Sequence, residues 1–294
     1  MESLYLSLRI SRQAHFKAVK QELSIAQKAT LYIGLMVEIR DLHPGMGLRK
    51  MYEQFNPEGI GRDSWVSLGL QEGFRLQIKQ TPYKTTYPVR LNRYKNLLQG
   101  KMFTDVNQVW TSDIFYFQLG DRHYYGVLVM DVYSRKIIGH SIADNMRAEN
   151  NINALSKALE CRGIENYENK LIHHSDRGSQ YLSDIYTELL ENHKIRLSVC
   201  FDVLENAHCE RVNGTIKNEY LNKREYKNFK ELEAGMTRDI EAYNNRKHNT
   251  IKMTPNEFEL HLSSIPEAKR EKLSIFTINK SKQNPLQLEL DFGS

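Results

Sequence analysis

The chain has 294 residues, 40% of them apolar and 26% charged, with a net charge of +5. That length implies two domains, or one catalytic domain with appendages, and the apolar content is enough for a packed core. It excludes a membrane-spanning reading, because no apolar run reaches the ~20 residues that a bilayer-crossing helix needs.

The stretch from Met1 to Lys20 lacks the unbroken apolar middle and the cleavage site of a secretory signal, so the expected compartment is the cytoplasm. Residues 1–37 read as helical. Ser11 stands where a cap would, Ala14, Ala18, Leu23 and Ile25 follow, and a second periodic stretch runs from Ala29 to Ile39. Pro44-Gly45 breaks the pattern. Residues 46–76 read as a compact helical pair. Leu48, Met51, Tyr52 and Phe55 fall at helical spacing, Pro57-Glu58-Gly59 makes a turn, and Asp63 or Ser64 is placed to cap a second helix bearing Trp65, Leu68 and Leu70. Two short helices joined by a Gly-containing turn resemble a helix-turn-helix, though on their own such pairs are more often structural than DNA-binding.

Residues 75–101 are rich in Lys and Arg, hold no Asp or Glu, and are interleaved with Tyr83, Tyr87 and Tyr94. The pattern suits phosphate contacts and, equally, a solvated basic linker; Pro82 and Pro88 favour a linker. From Val109 the character changes to strand. Ile114–Phe117, Tyr124–Met130 and Lys136–Ile142 are three strands, the first two joined at Gly120-Asp121. A helix with Ile152, Leu155 and Leu159 on one face comes next. Then follow a strand at Leu171–His174, a helix at Ile185–Leu190, a strand at Ile195–Val199, and helices at Ala207–Leu221 and Phe229–Tyr243. Three meandering strands followed by alternating units give an α/β domain with a mixed sheet. After about residue 263 no core-forming periodicity remains, and a flexible tail is expected. Three cysteines (Cys161, Cys200, Cys209) with no CxxC pair argue against structural zinc, and a reducing cytosol argues against a disulfide.

Three carboxylates fall where chemistry is plausible. Asp113 follows Trp110-Thr111-Ser112 near the start of the first strand. Asp176 lies just past Leu171–His174, and Glu210 lies early on the helix from Ala207. Ends of adjacent strands and a covering helix can bring three acids together. Such a cluster would repel itself without a divalent cation, which in turn is what phosphodiester chemistry uses. Each acid alone has a plainer reading: a strand edge for Asp113, an Asp-Arg-Gly turn for Asp176, and a solvated first-turn acid for Glu210. Asn213, Gly214 and Lys217 share a helix face with Glu210.

WTSDI (110–114), DVYSRKIIG (131–139), HSDRGSQY (174–181) and ENAHCERVNGTIKNE (205–219) resemble the integrase core of DDE transposases, most nearly the insertion-sequence-three family. YNNRKHNTIKMTPNEF (243–258) is similar to that family's C-terminal signature. HPGMGLRKMYEQFNPEGIGRDSW (43–65) is similar to its helix-turn-helix insert, and ISRQAHFK (10–17) to the start of its second reading frame. The resemblance covers residues 10–260. Departures are small: Glu205, Arg211 and Lys247 stand where Asp, Ser and Pro are usual.

The resemblance implies a ribonuclease-H-like mixed sheet flanked by helices, preceded by an N-terminal helical region. It implies catalytic, metal-binding carboxylates at Asp113, Asp176 and Glu210 and a pair of Mg²⁺ ions, for which Mn²⁺ can substitute. It also implies end cleavage and strand transfer on DNA. Expected DNA contacts are Lys217, Arg211, Asn213, Arg177, Arg246 and His248, with Lys84, Arg90 and Arg93 in the basic segment. The expected organisation is a helical region over 1–80, a basic linker over 81–105, a catalytic core with C-terminal helices over 106–262, and a tail over 263–294. Expected partners are transposon-end and target DNA, further copies of the chain, and an upstream-frame protein. Asp131, at a strand end, is outside the expected triad. The competing readings are a non-catalytic DNA-binding regulator or decayed element product, and a nuclease acting on RNA.

Overall fold

The computed structural model describes residues 12–76, 94–200 and 207–274. In chain order its main elements are α1 (Arg12–Leu42), α2 (Leu48–Phe55), α3 (Arg62–Gln71), β1 (Met102–Phe103), β2 (Val109–Leu119), β3 (Arg122–Asp131) and β4 (Ile137–Ala143). They continue with α4 (Ala148–Arg162), β5 (Ile172–Ser175), α5 (Asp184–Asn192), β6 (Arg196–Val199), α6 (Ala207–Thr215), α7 (Phe229–Asn244), α8 (Pro255–Ser263) and β7 (Leu273–Ser274). Among the described residues, no helix is long and apolar enough to cross a membrane. The chain divides into two compact units, Met1–Thr85 with Gly214–Thr254, and Thr86–Asn213 with Pro255–Ser294. The division departs from the expected boundaries, since residues 214–254 group with the N-terminal helices and not with the sheet.

In the sheet unit, five strands run in the order β4-β3-β2-β5-β6. β2, β3 and β4 pair antiparallel, and β2–β5 and β5–β6 pair parallel. The sheet is mixed, as expected. β2 and β3 are rich in aromatic and β-branched residues, which suit a pleated, half-buried surface. Leu119 pairs with Arg122 across a two-residue connection whose first member, Gly120, has φ +58°. That connection demands a positive φ, which glycine adopts at little cost.

Trp110, Val127, Val129 and Ile138 pack on one face of the sheet against Ala154, Leu155 and Ala158 of α4 and Tyr186 and Leu190 of α5. α4 lies so close that a side chain at Gly139 would meet the Ala154 carbonyl and Ala158. Side chains alternate along a strand, so Val109, Thr111 and Asp113 point to the opposite face. On that face Val109 joins Leu98, Phe103, Val132 and Ile172 in a second cluster.

Asp131 ends β3 fully buried. Its carboxylate accepts from Asn107 N (2.7 Å), Tyr133 N (3.0 Å) and Ser134 N (3.2 Å), and pairs with Arg162 (3.2 Å). Arg162 also pairs with Glu259 of α8 at 2.7 Å, and the Ser134 hydroxyl donates to Glu259 at 2.7 Å. The knot ties α8 to the sheet.

In the helical unit, Met36, Ile39, Met46, Leu48, Met51 and Trp65 form the core. Trp65 Nε1 donates to the Leu48 carbonyl at 3.1 Å, and Gly69 lets α3 press on Leu48. Residues 214–254 belong to the same packing. A side chain at Gly45 would strike the Glu219 backbone, His43 Nδ1 and the Tyr220 hydroxyl lie 2.9 Å apart, and Lys50 pairs with Glu219 at 2.8 Å.

Four local expectations are corrected. Residues 12–42 form one continuous helix, because nothing between the two periodic stretches breaks it. α3 starts at Arg62 behind Gly61, with no side-chain cap from Asp63 or Ser64. The helix from Ala207 changes after Thr215 to a π turn (Ile216–Tyr220) and a 3-10 turn (Leu221–Lys223). The tail is ordered through Ser274: β7 pairs with β1, the Glu271 carbonyl accepts from the Tyr133 hydroxyl at 2.8 Å, and Leu273 packs on the second cluster. Two paired residues are too few to leave a period-2 signal.

Candidate active site

The strand register brings the first two carboxylates together. Thr111 pairs with His174 and Ser112 with Ser175. Asp113 and Asp176 are the next residue on each chain, so they begin about 5 Å apart at ordinary strand spacing. β2 runs on beyond Asp113 while β5 ends, which leaves Asp176 in the turn that follows. There Gly178 N donates to Asp176 Oδ1 at 2.9 Å. Asp113 Oδ1 accepts from Ile114 N at 2.8 Å. Burial, the neighbouring Asp176 and Glu210 push the Asp113 carboxyl up to about 7. Burial also raises Asp176.

α6 supplies the third acid. Cys209 and Val212 are buried and anchor the helix, and Glu210 is exposed to solvent. Asn213, 6% exposed, reaches Asp113 directly, its Nδ2 donating to Oδ2 at 3.0 Å. The helix start is held from the β3–β4 turn, where Arg135 Nη1 lies 2.7 Å from His208 Nδ1. Burial and the adjacent Arg135 and Arg211 lower His208 to about 4, so the ring is neutral and accepts from Arg135. Among the described residues, no three His, Cys, Asp or Glu side chains are gathered so as to hold one metal ion. The arrangement is an adjacent aspartate pair with a solvent-facing glutamate nearby.

Polar residues behind the pair fix the strands. Tyr181 bonds to Ser112 (2.9 Å), Tyr186 to His173 (2.7 Å) and Ser198 to His174 (2.9 Å). Burial and His174 push His173 down to about 3, so it stays neutral. Arg135 and this supporting layer are functional candidates that sequence reasoning passed over. Their signal lay in the segments around Asp131 and Asp176, as words without an assigned role.

The expected DNA contacts are dispersed. Arg177, half-buried, donates from Nε to the Cys200 carbonyl at 3.0 Å, and Arg211 is exposed beside Glu210. Lys217, Arg246 and His248 belong to the helical unit. Lys217 is half-buried, and burial lowers its ammonium pKa. Arg246 is 7% exposed, pairs with Glu219 at 2.7 Å, and sits over the Tyr220 and Tyr243 rings, both at 5.7 Å. Its charge is spent inside its own unit. His248 packs edge-on against Tyr243, with centroids 4.5 Å apart. Lys84, Arg90 and Arg93 lie outside the described residues.

Two sequence models, each described as "Integrase core domain", match residues 104–201 and 195–255, together just over half of the chain. The chain is 27% identical over 210 residues to the transposase for insertion sequence element IS629 of Shigella sonnei, covering 70% of each. It is 29% identical over 253 residues to the IS600 uncharacterized 31 kDa protein of Shigella sonnei, covering 81% of this chain and 89% of that one. With transposase InsF for insertion sequence IS3A of Escherichia coli (strain K12) it shares 31% identity over 174 residues, 56% of this chain and 58% of that one. Among solved structures, the HTLV-2 integrase catalytic core domain in complex with magnesium aligns over 56% of this chain and 99% of its own, at 19% identity and a TM-score of 0.43.

The family matches define an integrase-core protein, an enzyme of the polynucleotidyl-transferase type. The chain belongs, more narrowly, to the insertion-sequence-three family of DDE transposases, whose work is the transposition and integration of insertion sequences.

Proposed function

We propose that this chain cuts the ends of its insertion sequence and joins them to target DNA in a Mg²⁺-dependent phosphoryl transfer, with Asp113, Asp176 and Glu210 as the catalytic acids. The observation that carries the reading is the adjacency of Asp113 and Asp176 on neighbouring parallel strands, with the glutamate's own helix bonded to Asp113 through Asn213.

The donor chemistry fits the ion. Mg²⁺ takes hard oxygen ligands, one or two carboxylates often sufficing, and completes its shell with water and substrate phosphate. Asp113 and Asp176 would hold the expected pair of ions, with Glu210 as the third carboxylate ligand. When bound they neutralise charge on the transferring phosphate and lower the pKa of the attacking hydroxyl.

The chain's own groups set the geometry. Ile114 N and Asn213 Nδ2 aim Asp113, and Gly178 N aims Asp176. In the first step a water oxygen bonds to phosphorus as the bond to the element's 3′ oxygen breaks, leaving a 3′-OH. In the second, that 3′-OH attacks a target phosphodiester and the target's 3′ oxygen leaves. Arg177, Arg211, Lys217 and the basic segment with Lys84, Arg90 and Arg93 contact phosphates, so binding falls steeply with salt. Substrate and partner are DNA, with further copies of the chain assembled on it and an upstream-frame protein as fusion or partner.

The test is purified protein with labelled element-end DNA and Mg²⁺ or Mn²⁺. Nicked and joined products are expected, and Asp113→Asn, Asp176→Asn and Glu210→Gln are expected to abolish them while leaving DNA binding intact. Gel shifts with no nicks would establish a DNA-binding regulator instead. Cleavage of RNA–DNA hybrids with no joined product would establish a nuclease.

A further inference from the structure

Asn213 holds a polar atom for which the protein supplies no mate. The side chain is 6% exposed, and its Nδ2 donates to Asp113 Oδ2 at 3.0 Å. Its Oδ1 is buried and has no hydrogen-bond partner in the protein. Buried polar side-chain atoms are paired in the large majority of cases, so an exception calls for a reason. Flipping the amide does not remove it. With Asp113 ionised, the form that a bound cation would hold, the carboxylate only accepts, so the nitrogen faces Asp113 and the oxygen faces away. Asp113 Oδ1 is already taken by Ile114 N, so the amide is held by the one oxygen that remains. The position therefore presents a fixed acceptor beside the carboxylate pair, and it asks for an O–H or N–H donor.

We propose that Asn213 Oδ1 accepts a hydrogen bond from the attacking hydroxyl, water in end cleavage and the 3′-OH in strand transfer, and so holds the nucleophile beside Asp113. This inference rests on the reading of Asp113 and Asp176 as the reaction centre and adds a catalytic residue to it. As the nucleophile's oxygen bonds to phosphorus, the bond to the leaving 3′ oxygen breaks. The nucleophile's proton passes to solvent through the open side of the site where Glu210 lies, and the leaving oxygen takes one up from the same source. Asn213 takes no proton, because its role is aim. A positioned acceptor of this kind serves any hydroxyl of the right size, so it also sets how the site chooses among hydroxyls.

That choice gives the test. The full chain is incubated with labelled end DNA and Mg²⁺, with and without glycerol as a competing hydroxyl. Water leaves a 5′-phosphate on the flank and glycerol leaves a glyceryl phosphodiester, so their ratio reports nucleophile selection separately from rate. Asn213→Ala is expected to lower turnover about tenfold or more, to change end-DNA affinity by less than about twofold, and to shift the glycerol-to-water ratio by about threefold or more. Asn213→Leu fills the same space without polar atoms and is expected to behave likewise, which guards against a collapsed alanine variant. An unchanged product ratio in both variants would overturn the proposal whatever happens to turnover, because loss of folding or of Asp113 aim slows both products alike. Asp113→Asn is assayed in parallel. Retained turnover there sinks the catalytic reading itself, whereas an inactive Asp113→Asn with an unchanged ratio at Asn213 sinks only the present proposal.

Discussion

Replacing Asp113 by Asn is expected to make the protein more stable at neutral and alkaline pH while removing its activity. Burial, Asp176 and Glu210 raise the Asp113 carboxyl from 3.8 to about 7. In the window between those values the folded protein binds more protons than the unfolded chain, so stability falls as pH rises through it. Below about 4 the group is neutral in both states and costs nothing. Above about 7 the full cost of the buried charge is present. A shift of about three units at 1.36 kcal/mol each sets a ceiling of about 4 kcal/mol. Relaxation and water entry reduce that, and about 2 kcal/mol is the expected observable. Urea unfolding in EDTA at pH 4.5 and pH 8 measures it. The variant's advantage over wild type grows between the two by that amount. Mg²⁺ at pH 8 then stabilises wild type and not the variant, by binding the folded state. A stability difference independent of pH would refute the claim that burial and the neighbouring acids raise the Asp113 carboxyl.

Glu210→Gln is expected to change stability by less than about 0.5 kcal/mol, since the side chain is exposed, while strand transfer is lost and end binding stays; thermal melting and a joining assay decide it. Arg246→Ala is expected to cost about 2–3 kcal/mol in chemical denaturation, because Glu219 loses its buried partner and two aromatic rings lose their cation. Arg162→Ala leaves Asp131 fully buried beside Glu259 without their shared cation, for a loss of about 3–5 kcal/mol that Asp131→Asn partly restores. Gly139→Ala drives a methyl into the Ala154 carbonyl, and overpacking there is expected to lower stability by about 2 kcal/mol.

The sheet was readable because its strands carry strong local signals. Aromatic and β-branched residues and the Gly120-Asp121 turn mark β2 and β3, and short segments between helical stretches mark β5 and β6. The three candidate acids stood out by their neighbours, since each sits in a distinctive word and strand ends are where α/β sheets place chemistry; the structure adds that Asp113 and Asp176 follow paired residues. Long-range polar pairing was not readable. Nothing local says that Arg246 will meet Glu219 twenty-seven residues upstream, or that Arg162 will bridge Asp131 and Glu259. A solvent-facing Arg and a buried one look alike in one dimension. The π turn at Ile216–Tyr220 was hidden for a related reason, since the helical period persists through it and only the backbone pairing changes. The grouping of residues 214–254 with the N-terminal helices depends on contacts such as Gly45 with Glu219, which have no periodic trace.

The pairing of Ser112 with Ser175 makes the aspartate pair sensitive to chain length in an unusual way. One residue lost between Val109 and Asp113 would turn the acid toward the α4 layer and put Ile114 in its place, and one gained would put Ser112 there. Substitutions along the same stretch leave the acid where it is. Drift in composition is therefore tolerated there far better than a single-codon insertion, and defective copies of such an element should carry length changes in β2 more often than silent-looking replacements.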